Sequence, residues 1–136
     1  MNIWEQAAGY LVGAPVEVRS VDMSGAKIGS ACLVGDQRVI ELRSDLNNDD
    51  KLDTFLHECA HHKYHKIPQR PTPERRAELQ SYWNIPEVRA GYEDDQKEIR
   101  ADAFAEVHRE WIDEATWPHA MDLEFKLKVW LESTTR

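Results

Sequence analysis

The chain has 136 residues, 41% of them hydrophobic and 31% charged, with a formal net charge of -8. That balance suits a single globular domain over residues 1–136 and excludes a disordered chain. An acidic surface repels phosphate backbones, so direct nucleic-acid binding is disfavoured.

Of the basic residues, Arg70, Arg75 and Arg76 make the best local patch, and a solvated helix face explains them more simply. Two cysteines, Cys32 and Cys59, make no disulfide framework and point to a reducing compartment. Residues 1–18 lack a basic n-region, and Glu5, Gln6 and Gly9 interrupt their apolar run, so no signal peptide is expected. No stretch approaches the length of a transmembrane helix. The expected location is cytoplasmic, with no membrane partner.

In chain order, Asn2 is a suitable cap for a helix over residues 3–11, closed by Gly13 and Pro15. Val16, Val18 and Val21 predict a first strand. Ser24 and Gly25 mark a turn, residues 27–34 read as a second strand, Gly35 and Asp36 as another turn, and residues 37–43 as a third strand. Turns this short predict an antiparallel meander. Asn47, Asn48 and Asp49 offer caps for a helix over residues 50–65, with Leu52, Phe55, Leu56 and Cys59 on its buried face.

Residues 67–91 read as an irregular, proline-rich connection. Inside it, Thr72 and Pro73 start a short helix that ends at Trp83, before Asn84 and Pro86. The connection has two readings, a lid over a cleft and a structural cap over the sheet, and the second is preferred. A long helix is expected over residues 93–114, with Ile99, Ala103, Phe104, Val107 and Trp111 as its apolar side. Pro118 separates it from a last helix over residues 121–132, with Leu123, Leu127, Trp130 and Leu131 on one face. Trp111, Trp117 and Trp130 are expected in the core.

The residues that carry chemistry are His57, Glu58 and His61, an H-E-x-x-H on the second helix. Side chains four apart lie on the same helix face, one turn up, so two imidazoles can reach one ion. Zinc accepts imidazole nitrogen and carboxylate oxygen. Glu58, beside the first histidine, is placed to take a proton from an activated water. Cys59, inside the motif, is a small packing residue.

A catalytic zinc needs a third protein ligand. A Gly and a third His close behind the motif would supply one, but those places hold Tyr64 and Ile67. His65 continues the stripe of His57 and His61, yet one straight helix cannot surround an ion. Glu98 is the best candidate, followed one turn later by Asp102. In this reading Glu98 binds the metal and Asp102 accepts the free N–H of a ligand histidine, fixing its tautomer.

The stretches VIELRSDLNNDDKLDTFLHECAHH and EIRADAFAEVH resemble the ImmA/IrrE metallopeptidase family of the thermolysin-like, gluzincin group. A capped helix there carries H-E-x-x-H, and a later helix carries a motif close to E-x-x-A-[ND]-x-F-A, matched here by Glu98, Ala101, Asp102, Phe104 and Ala105. The resemblance implies a zincin-like α+β fold. A small antiparallel sheet would pack on the H-E-x-x-H helix and on a second helix bearing the third ligand. It implies His57, His61 and Glu98 as zinc ligands and Glu58 as the catalytic base. It also implies a helix-turn-helix repressor of a phage or mobile element as the protein substrate. Many family members carry a separate DNA-binding domain, for which this chain has no room. The connection between His61 and Glu98 is longer than usual in the family, which suggests an added lid or binding element.

The expected reaction is peptide hydrolysis, with an oxyanion donor drawn from His62, Tyr64, Tyr82, Tyr92 and His108, none of them singled out. The competing expectation is a zinc-bound regulatory interaction module without turnover. Its weakness is that a purely structural site has no use for Glu58.

Overall fold

The computed structural model describes residues 1–23, 28–117 and 122–134. The turn expected at Ser24 and Gly25, the start of the second strand, and the region of Pro118 and Met121 lie outside them. The fold is α+β: six helices and a three-stranded mixed sheet among the described residues. No helix among them is long and apolar enough to cross a membrane.

The first helix, α1 (Ile3–Val12), starts on a capping box. The Asn2 side chain accepts from the Glu5 N–H at 2.9 Å, and the Glu5 carboxylate accepts from the Asn2 N–H at 3.1 Å. Gly13, with φ of 82°, ends the helix in the left-handed region that favours glycine. The strands β1 (Val16–Val21), β2 (Gly29–Val34) and β3 (Gln37–Arg43) follow.

Their order is β1-β3-β2, not a meander. β3 pairs parallel with β1 and antiparallel with β2. Adjacent parallel strands need a long connection between them. Here that connection is residues 22–36, and it contains β2 itself. Short turns therefore did not exclude a parallel pair. β3 takes the centre because it is the strand fit for burial on both faces: Val39, Ile40, Glu41 and Leu42 are all buried.

On one face, Val16, Ile40 and Leu42 join the main core with α1, α2 (Asn48–Tyr64), α5 (Gln96–Thr116) and α6 (Leu123–Thr134). Trp4 meets Phe55 edge-on there, with centroids 5.0 Å apart. Leu52, Phe55, Leu56 and Cys59 are buried as expected, and so are Leu127 and Trp130.

The opposite face of β3 buries Glu41 completely. Its Oε1 accepts from Arg76 Nη2 at 2.7 Å, and Arg70 Nη2 lies 3.2 Å from Oε2. Arg75 pairs with Glu78. The three arginines thus serve ion pairs and not a basic patch. The chain at Gln69 also runs along β2: the Leu33 N–H donates to the Pro68 carbonyl and the Arg70 N–H to the Leu33 carbonyl.

α3 (Pro73–Trp83) starts at Thr72 and Pro73 as expected. Pro86, read from sequence as a terminator, instead opens a further helix, α4 (Pro86–Glu93), where a missing N–H costs nothing. The long helix accordingly begins at Gln96, capped by Asp95.

Of its expected apolar side only Phe104 is buried. Ile99, Val107 and Trp111 are 47%, 41% and 53% exposed, and Ala103 is exposed too. The buried side is Glu98, Ala101, Phe104, Ala105, Ile112 and Thr116. Small alanines on that side let α5 lie close against α2, which brings Glu98 within reach of the histidines. Trp117 is also exposed, at 80%, leaving Trp130 as the core member of the three tryptophans.

Candidate metal centre

Asn47 caps α2 by accepting from the Asp50 N–H at 2.8 Å. The helix then runs unbroken through His57 and His61, so their rings project one turn apart, with centroids 4.7 Å apart. Their Nε2 atoms face each other at 3.0 Å. Glu98 enters from the first turn of α5. Its Oε2 lies 2.8 Å from His57 Nε2 and its Oε1 3.0 Å from His61 Nε2. The three ligand atoms fall within 4.8 Å of one another, and Glu98 is buried.

This cluster fits a divalent ion. Two imidazole nitrogens aimed at each other and at a carboxylate are the donor set of a transition-metal site. A tetrahedral ion with bonds of about 2.0 Å holds its donors roughly 3.3 Å apart. The atoms therefore need to separate only slightly to admit one.

Each ligand ring is held from behind. His57 Nδ1 lies 2.7 Å from Asp102 Oδ1, as the sequence reading expects. His61 Nδ1 lies 3.0 Å from His65 Nδ1. Sequence reasoning dismissed His65 as a ligand and missed this second use. Its signal was the four-residue spacing from His61, which brings the two rings together on the last turn. Tyr92, from α4, lies close to Glu98 and helps hold its carboxylate charged.

Burial pulls the His57 imidazole down, but the Glu98 hydrogen bond and the nearby Glu58 and Asp102 carboxylates raise it to about 9. Burial pushes Glu98 up, yet hydrogen bonds from His57, His61 and Tyr92 hold its carboxyl well below the usual range. Tyr92 is raised by burial and by the Glu98 charge, so its phenol stays protonated. Burial and the neighbouring His61, Arg100 and Lys97 lower His65, which favours its neutral ring.

Glu58 is buried beside the cluster, on the wall of a cleft of about 670 Å³ that also holds His57, His61 and Glu98. Gly29 of β2 packs against Thr54 and Glu58, and a Cβ there would collide with Thr54 Cγ2. A glycine thus lets the edge strand lie directly over the motif helix.

Of the five oxyanion candidates, Tyr92 alone lines the cleft among the described residues. His62 is instead a tie between α2 and β3: its Nε2 donates to the Val39 carbonyl at 2.8 Å and its Nδ1 accepts from Arg38. His108 stacks on Phe104 with its Nδ1 on the Phe104 carbonyl. Tyr64 meets Phe104 edge-on. Tyr82 is half exposed. No signal in the sequence separated Tyr92 from these.

The proline-rich connection caps the sheet, and part of it also borders the cleft. Arg70 and Arg76 fasten it to the far face of the sheet, while Leu79, Trp83 and Tyr92 line the cleft.

No protein-family model matches this sequence, and neither a curated protein nor a solved structure matches it at a significant level.

Proposed function

We propose that this chain is a zinc-dependent peptidase of zincin-like architecture, with His57, His61 and Glu98 as the zinc ligands and Glu58 as the general base. One observation carries the proposal. Two imidazoles one helical turn apart and a carboxylate from a second helix converge within 4.8 Å, with Glu58 buried at their side. A structural site closes its coordination sphere with four protein ligands, whereas three leave a position open. The motif resemblance to the ImmA/IrrE peptidases supports the same assignment.

Zinc held there by His57, His61 and Glu98 would supply Lewis-acid polarisation of a carbonyl and would acidify a water. Glu58 accepts the proton of that water and passes it to the leaving amine. Asp102 and His65 hold the two ligand rings in the tautomers that present Nε2 to the ion. Tyr92 holds the Glu98 carboxylate. The α3–α4 hairpin shields the cleft from one side. The substrate class that best suits the motif resemblance is a protein, a helix-turn-helix repressor of a phage or mobile element.

The test is Glu58→Gln in the zinc-loaded protein, assayed against candidate repressors. Zinc content is expected to match wild type, while cleavage disappears. A biological effect that survives this change would favour the silent regulatory module instead.

A further inference from the structure

In this acidic chain Arg19, Arg43, Arg70, Arg75, Arg76 and Arg109 all lie in ion pairs. Three cations at the mouth of the cleft do not. Lys66, Arg89 and Lys97 line it and are exposed, and none has an ion-pair partner among the described residues.

Three elements bring them together. Helix α2 is charged in the order that suits its dipole, with Asp49 and Asp50 in its first turn and Lys63 in its last. Lys66 follows just past that end. Lys97 stands in the first turn of α5, beside Glu98. Lys97 and Arg100 lie near enough to His65 for their charges to act on its ring. Arg89 comes from α4.

Most acidic side chains of the cleft are already engaged. Asp53 accepts from Arg109 Nη1 at 3.0 Å, and Asp102 meets His57. Glu98 spans the two ligand histidines, and Glu58 is buried beside them. Glu93, one turn after Arg89 on α4, is the remaining carboxylate at the rim among the described residues. The mouth is therefore polarised. Asp53 and Asp102 stand at its His57 end, and the uncommitted cations gather toward its His65 end.

From this placement we infer that Lys66, Arg89 and Lys97 hold an acidic segment, Asp or Glu in side chain, of the protein that enters the cleft. The inference rests on the peptidase reading above and names a feature of its substrate. A carboxylate gains a cation there without breaking an existing pair, whereas a lysine meets like charge. The net charge of -8 repels an extended phosphate backbone, which favours a short acidic peptide as the occupant.

The experiment uses short Ser/Ala host peptides with an uncharged fluorophore and two adjacent Asp, Asn or Lys residues. Anisotropy on zinc-loaded Glu58→Gln full-length protein measures binding. The Asp peptide is expected to bind tightest, against the net charge of the protein. Lys66→Glu, Arg89→Glu and Lys97→Glu should each weaken it roughly three- to tenfold, with the Asn peptide little changed. Lys97→Arg should bind as wild type does. Lys128→Glu makes the same charge change on an exposed part of α6 away from the cleft, and should have no effect. The preference should fade as salt rises from about 0.01 M to about 1 M. Zinc content and circular dichroism keep metal loss and unfolding separate from binding.

An Asp preference that survives the three reversals, or that Lys128→Glu abolishes equally, overturns the inference. So does an oligothymidylate that binds tighter than the Asp peptide and is lost in the same variants. Cleavage by protein with Glu58 intact, without any Asp preference in binding or rate, overturns the acidic site and leaves the peptidase reading standing. Asp preference lost in the reversals, with no peptide cut, supports the acidic site and counts against the peptidase.

Discussion

Asp102 Oδ1 sits 2.7 Å from His57 Nδ1, on the side of the ring away from Glu98. The aspartate is largely exposed, at 73% of its side chain, and a carboxylate on Nδ1 favours the tautomer with Nε2 unprotonated. Asp102→Ala is expected to weaken zinc affinity roughly ten- to a hundredfold without unfolding the protein. His65→Ala, acting on His61 in the same way, should lie at the lower end of that range. Competition with a chromophoric chelator measures both. Unchanged affinity in Asp102→Ala would remove the carboxylate from the site.

Glu98 should matter more, since it contributes the anionic donor itself. Glu98→Gln is expected to lose zinc beyond the roughly hundredfold ceiling set for Asp102. Elemental analysis of protein purified without added metal reads this directly. Wild-type zinc content in Glu98→Gln would contradict the ligand assignment.

The pH dependence follows from the same pair. His57 is raised from 6.5 to about 9, so in chelator-stripped protein its contribution to stability is complete below pH 6.5 and lost as pH rises through about 9. Glu98 is lowered from 4.5, so its contribution is present above pH 4.5 and lost as pH falls through its folded-state value. Metal competes with the His57 proton, so zinc stabilises more as pH rises across the upper window. Thermal unfolding of stripped and zinc-loaded protein should therefore diverge between pH 6.5 and about 9. Parallel curves would show that no ligand proton is displaced.

Glu41 is wholly buried and depends on Arg76 at 2.7 Å. Arg76→Ala removes its closest cation and should cost about 3 kcal/mol, a fall in Tm of roughly 10 °C. Adding Glu41→Leu to that variant should recover most of the loss, because an apolar side chain there needs no partner. Equal Tm values for the single and double variants would show that the ion pair does not anchor the connection.

Much of the local structure was legible in the residues themselves. Asn2, Asn47 and Thr72 mark helix starts through short-range hydrogen bonds that any chain context allows. The spacing of His57, Glu58 and His61 implies one helix face whatever surrounds it. Glu98 and Asp102 were readable for the same reason, once a second helix was required.

Tertiary structure decided the rest. Helix α5 carries two candidate faces, and hydropathy favours the larger side chains of Ile99, Val107 and Trp111. The face of Glu98, Ala101 and Ala105 is the one buried, because close approach to α2 depends on small residues and on a carboxylate with partners waiting. The same limit hid the strand order and the ion pairs of Glu41. Pairing partners lie far apart in sequence, and their choice depends on which faces can be covered at once. His65 and Tyr92 gain their roles only when the ends of α2 and α4 meet the cluster. Sequence determined which side chains can hold a metal and on which helix each stands. Only packing between helices determined that they converge, since no local interaction spans the distance from residue 57 to residue 98.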